Sequence, residues 1–199
     1  MSVSSPSYPP LHYTPARCML FVDGENLTIR AQKLLEASGR LPLESPNFKT
    51  NCFLWPGSDY TALGWGRYLE TRPIRSFYYT SAVGGDDVLR LVREQIWALG
   101  FEPHVFRKDK QNNQSKGVDI ALTKDMLSHA FRDNYDAAVL VSGDGDYVPL
   151  VEEVKRLGKQ VIVNFIAQWT NPDLRLAADS FSDITTNIEK WAQSQKQGG

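Results

Sequence analysis

Four aspartates carry the chemistry legible in this chain: Asp23 in FVDGEN, Asp119 in KGVDIA, and Asp144 and Asp146 in SGDGD. Carboxylates packed together repel one another and raise each other's pKa values unless a cation neutralises them. A hard divalent ion is the economical partner. Mg²⁺ takes one or two carboxylates together with waters and substrate phosphate oxygens, and it needs no closed protein cage. Such an ion, Mg²⁺ or Mn²⁺, orients and activates water and stabilises the charge that develops on a phosphate. The spacing therefore predicts one metal site built from Asp23, Asp119, Asp144 and Asp146.

Each acid also has a plainer reading by itself. Asp23 before Gly24 is a favoured pair for a strand-ending turn. SGDGD is compatible with a turn that caps the following helix, although its glycines would also let backbone amides approach a ligand closely. Asp119 is a first-turn acid of the kind a helix dipole favours. The conjunction is what separates function from habit, because all four fall at the same expected edge of a sheet. Other groups fail that test. Asp125 lies six residues after Asp119, which turns it about 120° away on a helix, so it reads as a surface acid. Glu25 is expected to point outward, whereas Asn26 is placed to hold the Asp23 carboxylate or a water. Asp179 in AADSF either faces the site or caps a turn. His12, His104 and His129 show no mutual spacing of a zinc or acid-base cluster.

The elements that must position these acids follow from periodicity. CMLFV is a short apolar run ending at Asp23, as a buried strand would be, and LTIRAQKLLEASG reads as a helix with a glycine just past its end. PIRSFYYT and FEPHVF are strand candidates on either side of DDVLRLVREQIWALG, which puts Leu89, Val92, Ile96 and Leu99 on one helical face. VDIALTKDMLSHAF is a helix whose buried side is expected to be Ile120, Leu122, Met126 and Leu127. YDAAVLVSG is a buried strand, GDYVPLVEEVKRLG a helix with Pro149 in its first turn, and KQVIVNFI the next strand. Asn171 is a suitable N-cap with Pro172 at the first helical position, and a shorter final element runs to Trp191. Strand and helix alternate about five times, the pattern of an α/β fold whose mainly parallel sheet is covered on both faces. In such sheets ligands gather beyond the carboxyl ends of the strands.

Bulk composition narrows the function classes. With 199 residues and 42% hydrophobic side chains, the chain suits one domain with a sizeable core. We expect a Ser- and Pro-rich flexible leader over 1–15, a single domain over 16–192 with an irregular insertion at 41–66, and a flexible tail over 193–199. Lys and Arg number 22 against 23 Asp and Glu, so no global positive field holds a polyanion and any nucleic acid must bind locally. Cys18 and Cys52 form neither a C-x-x-C pair nor part of a His cluster, which argues against structural zinc or a disulfide scaffold. Nothing approaches the roughly 18 to 20 apolar residues of a membrane span, and the first residues lack the order of a secretory signal. A soluble protein of the reducing cytoplasm is the expectation. For substrate contact, RKDKQNNQSKG offers Arg107, Lys108, Lys110 and Lys116 beside the approach to Asp119; such loops are usually solvated surface, but this position suits phosphate contacts without sequence preference. Trp55, Tyr60 and Trp65 are of a type that stacks bases, though loop packing explains them as well.

Together FVDGENL, KGVDIALTKDM and SGDGDYVPLVEEVKRLGKQVIV, with the later LRLAADSF, resemble the successive motifs of NYN-domain proteins of the LabA type, relatives of the PIN nucleases. The match runs from about Arg17 to Ile184. The resemblance implies a Rossmann-like, PIN-like fold and a metal-dependent ribonuclease that hydrolyses phosphodiester bonds, in single-stranded RNA as the expected substrate. It assigns the metal to Asp23, Asp119, Asp144 and Asp146, makes Asn26 and Ser142 supporting polar residues, and restores some claim to Asp125. A homodimer is compatible with it. The stretch from Leu41 to Gly66 departs by being longer than a minimal domain needs. Two rivals remain. One is a catalytically idle scaffold that binds RNA or protein. The other is a phosphatase of the haloacid dehalogenase type, which normally wants D-x-D after its first strand where this chain has Glu25 at the third position.

Overall fold

The computed structural model describes residues 17–39, 48–49, 52–53, 73–108 and 117–194. The predicted leader, most of the 41–66 insertion with Trp55, Tyr60 and Trp65, and both Lys110 and Lys116 lie outside those residues.

Strand β1 (Cys18–Asp23) is buried along its whole length. It passes straight into helix α1 (Gly24–Ala37), with Asp23 itself as the N-cap. No turn intervenes, so the Asp-Gly pair is not a strand-ending turn. Gly24 is required by space: a Cβ there would stand 2.1 Å from Cε1 of Tyr78. Helix α1 ends as predicted, with Gly39 beyond Ser38 at φ 71°, a left-handed conformation that glycine adopts without penalty. Within the insertion, β2 (Phe48–Lys49) and β3 (Cys52–Phe53) pair antiparallel as a small separate ribbon.

The remaining elements are β4 (Arg75–Ala82), α2 (Asp86–Ala98), β5 (Glu102–Arg107), α3 (Val118–Phe131), β6 (Ala137–Val141), α4 (Val148–Arg156), β7 (Gln160–Phe165), α5 (Pro172–Ala177), β8 (Ser180–Asp183) and α6 (Thr185–Ser194). Helix α6 thus reaches past Trp191. Strand β8 went unread in the sequence because it is four residues long, half-exposed and polar, at the edge of the sheet.

Six strands form one sheet in the order β5-β4-β1-β6-β7-β8, and every neighbouring pair is parallel. Alternate residues of β1 feed two cores. Cys18, Leu20 and Val22 pack with Leu27, Leu34 and Leu35 of α1, Val92 and Ile96 of α2 and Ile188 of α6. Met19 and Phe21 pack with Leu122 and Met126 of α3, Val151 and Val154 of α4 and Leu174 of α5. Burial on both faces explains why these strands read as continuous apolar runs rather than alternating ones.

One expected face is corrected. Helix α3 buries Val118, Leu122, Met126 and Ala130, while Ile120 is 68% exposed and Leu127 sits at the margin of the core. Apolar and polar residues are mixed around this helix instead of segregating to opposite sides, so its periodicity could not choose a face; packing against the sheet did.

The chain builds the sheet outward from β1 through β4 to β5, then crosses back to build β6, β7 and β8 on the other side. The direction of winding reverses between β1 and β6, and in doubly wound sheets the crevice beyond the carboxyl ends of such a strand pair is where ligands bind.

Candidate functional site

The reversal point brings three separate elements together. Asp23 is the last residue of β1, the SGDGD loop leaves the end of β6, and α3 begins at the same edge because it follows a parallel strand, β5.

Asp23 is 2% exposed. Its Oδ1 accepts the backbone N–H of Asn26 at 3.0 Å and its Oδ2 accepts the Ser142 hydroxyl at 2.9 Å. Burial pushes this carboxyl up from an ordinary 3.8 to about 7; the two hydrogen bonds oppose the shift, and Asp119 and Asp144 add to it. The Asn26 side chain does something other than hold Asp23: its Oδ1 accepts from the backbone N–H of Gly143 at 3.3 Å. It ties the start of α1 to the loop after β6, while the backbone of Asn26 secures the acid.

That loop is fixed by its own polar atoms. The Ser142 oxygen accepts from the Asp144 N–H at 3.2 Å, and Asp144 Oδ1 accepts from the Asp146 N–H at 3.1 Å, which caps the single 3₁₀ turn Gly145–Tyr147 that leads into α4. The glycines answer to packing. A Cβ on Gly143 would lie 2.4 Å from Phe165 Cδ1 and 2.6 Å from the Trp169 carbonyl oxygen, and one on Gly145 would lie 2.4 Å from Asn171 Nδ2. Asn171 caps α5 as expected, accepting from the N–H groups of Asp173 and Leu174.

Asp119 stands in the first turn of α3, where Oδ1 accepts the Tyr147 hydroxyl at 3.0 Å. Its carboxyl is also raised, by partial burial first, with Asp144, Glu25 and Asp146 contributing and Tyr147 opposing. The residue as a whole is exposed, so solvent screening makes this shift the weaker of the two. Asp146 is exposed and lies at the outer side of the loop.

Two residues that the sequence reading left outside the site belong here. Glu25, expected to point outward, is one of the acids acting on Asp119, and its Oε1 accepts from Lys108 Nζ at 2.6 Å in a pair whose side chains are 20% and 18% exposed. Starting α1 at Gly24 instead of Leu27 would have turned Glu25 toward this edge. The other is Tyr147, whose ring is 2% exposed; a hydroxyl-bearing aromatic three positions after Asp144 was the available signal. Lys108, expected at phosphate, is thus held beside the acids by Glu25.

Other candidates lie elsewhere. Asp125 accepts the Tyr79 hydroxyl at 3.1 Å and sits 3.9 Å from His104 Nδ1, on the core side of α3 as that helix runs away from the site. Asp179 accepts the Val161 N–H at 2.7 Å and pairs with Lys155 at 3.2 Å, pinning α4 and the start of β8 to β7. His129 packs against Phe21 and Phe77 and bonds Asn134.

Among the described residues no Lys, Arg or His forms an ion pair with Asp23, Asp119, Asp144 or Asp146. Nor do any three described His, Cys, Asp or Glu side chains converge closely enough to hold one ion between them as they stand. The acids ring a site without closing on it. All of the donors are hard oxygens, and a cation content with one or two carboxylates and water suits that set.

The family model for the NYN domain matches residues 17–185. Low amplitude and bright protein LabA of Synechococcus elongatus is 24% identical over 193 residues, covering 89% of this chain and 90% of that protein. An uncharacterized protein of Methanocaldococcus jannaschii is 25% identical over 119 residues; the match covers 60% of this chain but spans only 43% of that protein's length. In fold, the chain is similar to the crystal structure of a protein of unknown function from Vibrio parahaemolyticus, with a TM-score of 0.59 and 22% identity over 87% of this chain and 95% of that one.

Proposed function

The chain belongs to the NYN domain family, and on that premise we propose that it is a metal-dependent ribonuclease that hydrolyses phosphodiester bonds in single-stranded RNA. Membership among these PIN-like proteins supports a nuclease-type function. The observation that carries the finer reading is the meeting of Asp23, Asp119 and Asp144 from three elements at the reversal point, with no basic partner among the described residues.

In this reading Asp23, Asp119, Asp144 and Asp146 would hold Mg²⁺ or Mn²⁺, one or two of the carboxylates directly and the others through water. The ion supplies activation of water and stabilisation of charge on the phosphate. The chain supplies the rest. Ser142 and the Asn26 N–H fix both oxygens of Asp23, so that its orientation is set before any substrate arrives. Lys108, with Lys110 and Lys116 of the same segment, contacts the phosphate backbone, and Lys108 does so by exchanging its Glu25 partner for a phosphate oxygen. Such contacts position a strand and carry no sequence preference. The reducing cytoplasm is the compartment this reading expects; among the described residues no helix is long and apolar enough to cross a membrane.

The open spacing of the acids favours one other reading, a scaffold that binds RNA without cleaving it. Purified protein incubated with single-stranded RNA separates the two. Cleavage that requires Mn²⁺ or Mg²⁺ and is lost in Asp23→Asn and Asp144→Asn supports the nuclease. Folded protein that binds RNA yet leaves it intact with either ion supports the scaffold. The phosphatase reading suffers from Glu25 at the third position of the first-strand motif, where that class normally carries a second aspartate; a trapped phosphoaspartate at Asp23 would restore it.

A further inference from the structure

We infer that Tyr147 is a positioning residue for the metal centre, its hydroxyl fixing the rotation of the Asp119 carboxylate that would help hold the cation. The inference rests on the metal-site reading above and deepens it.

The argument begins with how weakly α3 holds Asp119. The helix starts at Val118 after Gly117, whose position offers no side-chain cap, and Asp119 itself is exposed. An aspartate in a first turn can rotate freely unless something binds its carboxylate. Among the described residues that something is Tyr147, 28 positions away, at 3.0 Å from Oδ1.

Tyr147 is well suited to hold it still. Its ring is 2% exposed and packs in the same core as Val118, Leu122, Leu150 and Val151, so the hydroxyl is delivered from a rigid base. Its backbone belongs to the turn capped by Asp144. The bond therefore joins the two acids that come from different elements, one on α3 and one after β6. A phenol has one proton to donate, and here it goes to Oδ1, which fixes the plane of the carboxylate while lone pairs on both oxygens stay open to another partner. The core alone would be as well filled by phenylalanine, so the hydroxyl at this position is explained by Asp119 and not by packing. Hydrogen bonds from outer groups to metal-binding carboxylates orient them, and loss of one typically lowers metal affinity by about 10- to 100-fold.

The test is Mn²⁺ affinity, measured by the loss of the free-ion EPR signal on titration, for the wild-type chain, Tyr147→Phe, Asp119→Asn and the double variant, with circular dichroism to confirm that each is folded. We expect Tyr147→Phe to bind Mn²⁺ about 10- to 100-fold more weakly. We expect the double variant to match Asp119→Asn alone, since a group that acts through Asp119 has nothing left to act on; a general packing defect would instead multiply with the Asp119 effect. Tyr147→Phe within twofold of the wild type overturns the inference and leaves the metal site standing, as do independent, multiplying effects. A wild-type chain that takes up no Mn²⁺ overturns the metal site and this inference with it.

Discussion

Replacing Asp23 by asparagine should stabilise the metal-free protein at pH 8, although it removes the most buried acid of the site. The Asp23 carboxyl is raised from 3.8 to about 7, burial being the main cause. A raised carboxyl binds its proton more tightly in the fold than in the unfolded chain. Below pH 4 both states are protonated and nothing is lost. As pH rises toward 7 the unfolded chain gives up its proton first, so the fold weakens by up to about 1.4 kcal/mol per pH unit and then levels off. Over the roughly three units between the two values the loss is at most about 4 kcal/mol, and relaxation around the charge makes about 2 to 4 kcal/mol the working range. Asp119 adds a smaller effect of the same sign. Asparagine keeps both contacts: its Oδ1 accepts the Asn26 N–H, and its Nδ2 donates to the Ser142 oxygen, which turns the Ser142 proton away from residue 23 and takes back part of the gain. At this chain length each kcal/mol moves the melting temperature by about 2 to 4 °C, so the variant should melt about 4 to 16 °C above the wild type at pH 8 in chelator. The gap should shrink by more than half at pH 5 and vanish below pH 4. Mn²⁺ at a hundredfold excess over its dissociation constant should then restore about 2.7 kcal/mol to the wild type alone. An asparagine variant that melts at or below the wild type at pH 8, or a gap indifferent to pH, refutes the reasoning.

Three further outcomes follow from the geometry. Gly143→Ala must push a Cβ against Phe165 and the Trp169 carbonyl at 2.4 and 2.6 Å, so chemical denaturation should show a loss of about 1 to 3 kcal/mol, whereas Gly100→Ala meets nothing within 4 Å and should suffer only from its positive φ. On α3, Leu122→Ala should cost about 2 to 5 kcal/mol as a core cavity and Ile120→Ser less than about 0.5 kcal/mol as a surface change; equal losses would mean the helix face is wrong. Lys108→Ala should weaken single-stranded RNA binding evenly across sequences and reduce the salt slope by about one, read by fluorescence anisotropy at several salt concentrations. An unchanged slope would remove Lys108 from the phosphate contacts.

Much of this molecule was legible in its residue order. The apolar runs at β1, β6 and β7 announced strands covered on both faces, Gly39 and Asn171 marked helix ends, and the edge positions of Asp23, Asp119 and Asp144 followed from parallel alternation. These are local signals, carried by neighbours within a turn or a strand. Tertiary structure decided what local signals do not encode. Strand order put β6 beside β1 and so placed Ser142 on Asp23, across 119 positions of chain. Packing against the sheet, not periodicity, turned Ile120 outward and Val118 inward. The same long-range packing brought Glu25 to Lys108, Tyr147 to Asp119 and Asp179 away to Lys155. The sequence named the acids because residue type and edge position are local properties; only the fold revealed their partners, because burial and close approach between distant segments exist only once the sheet has formed.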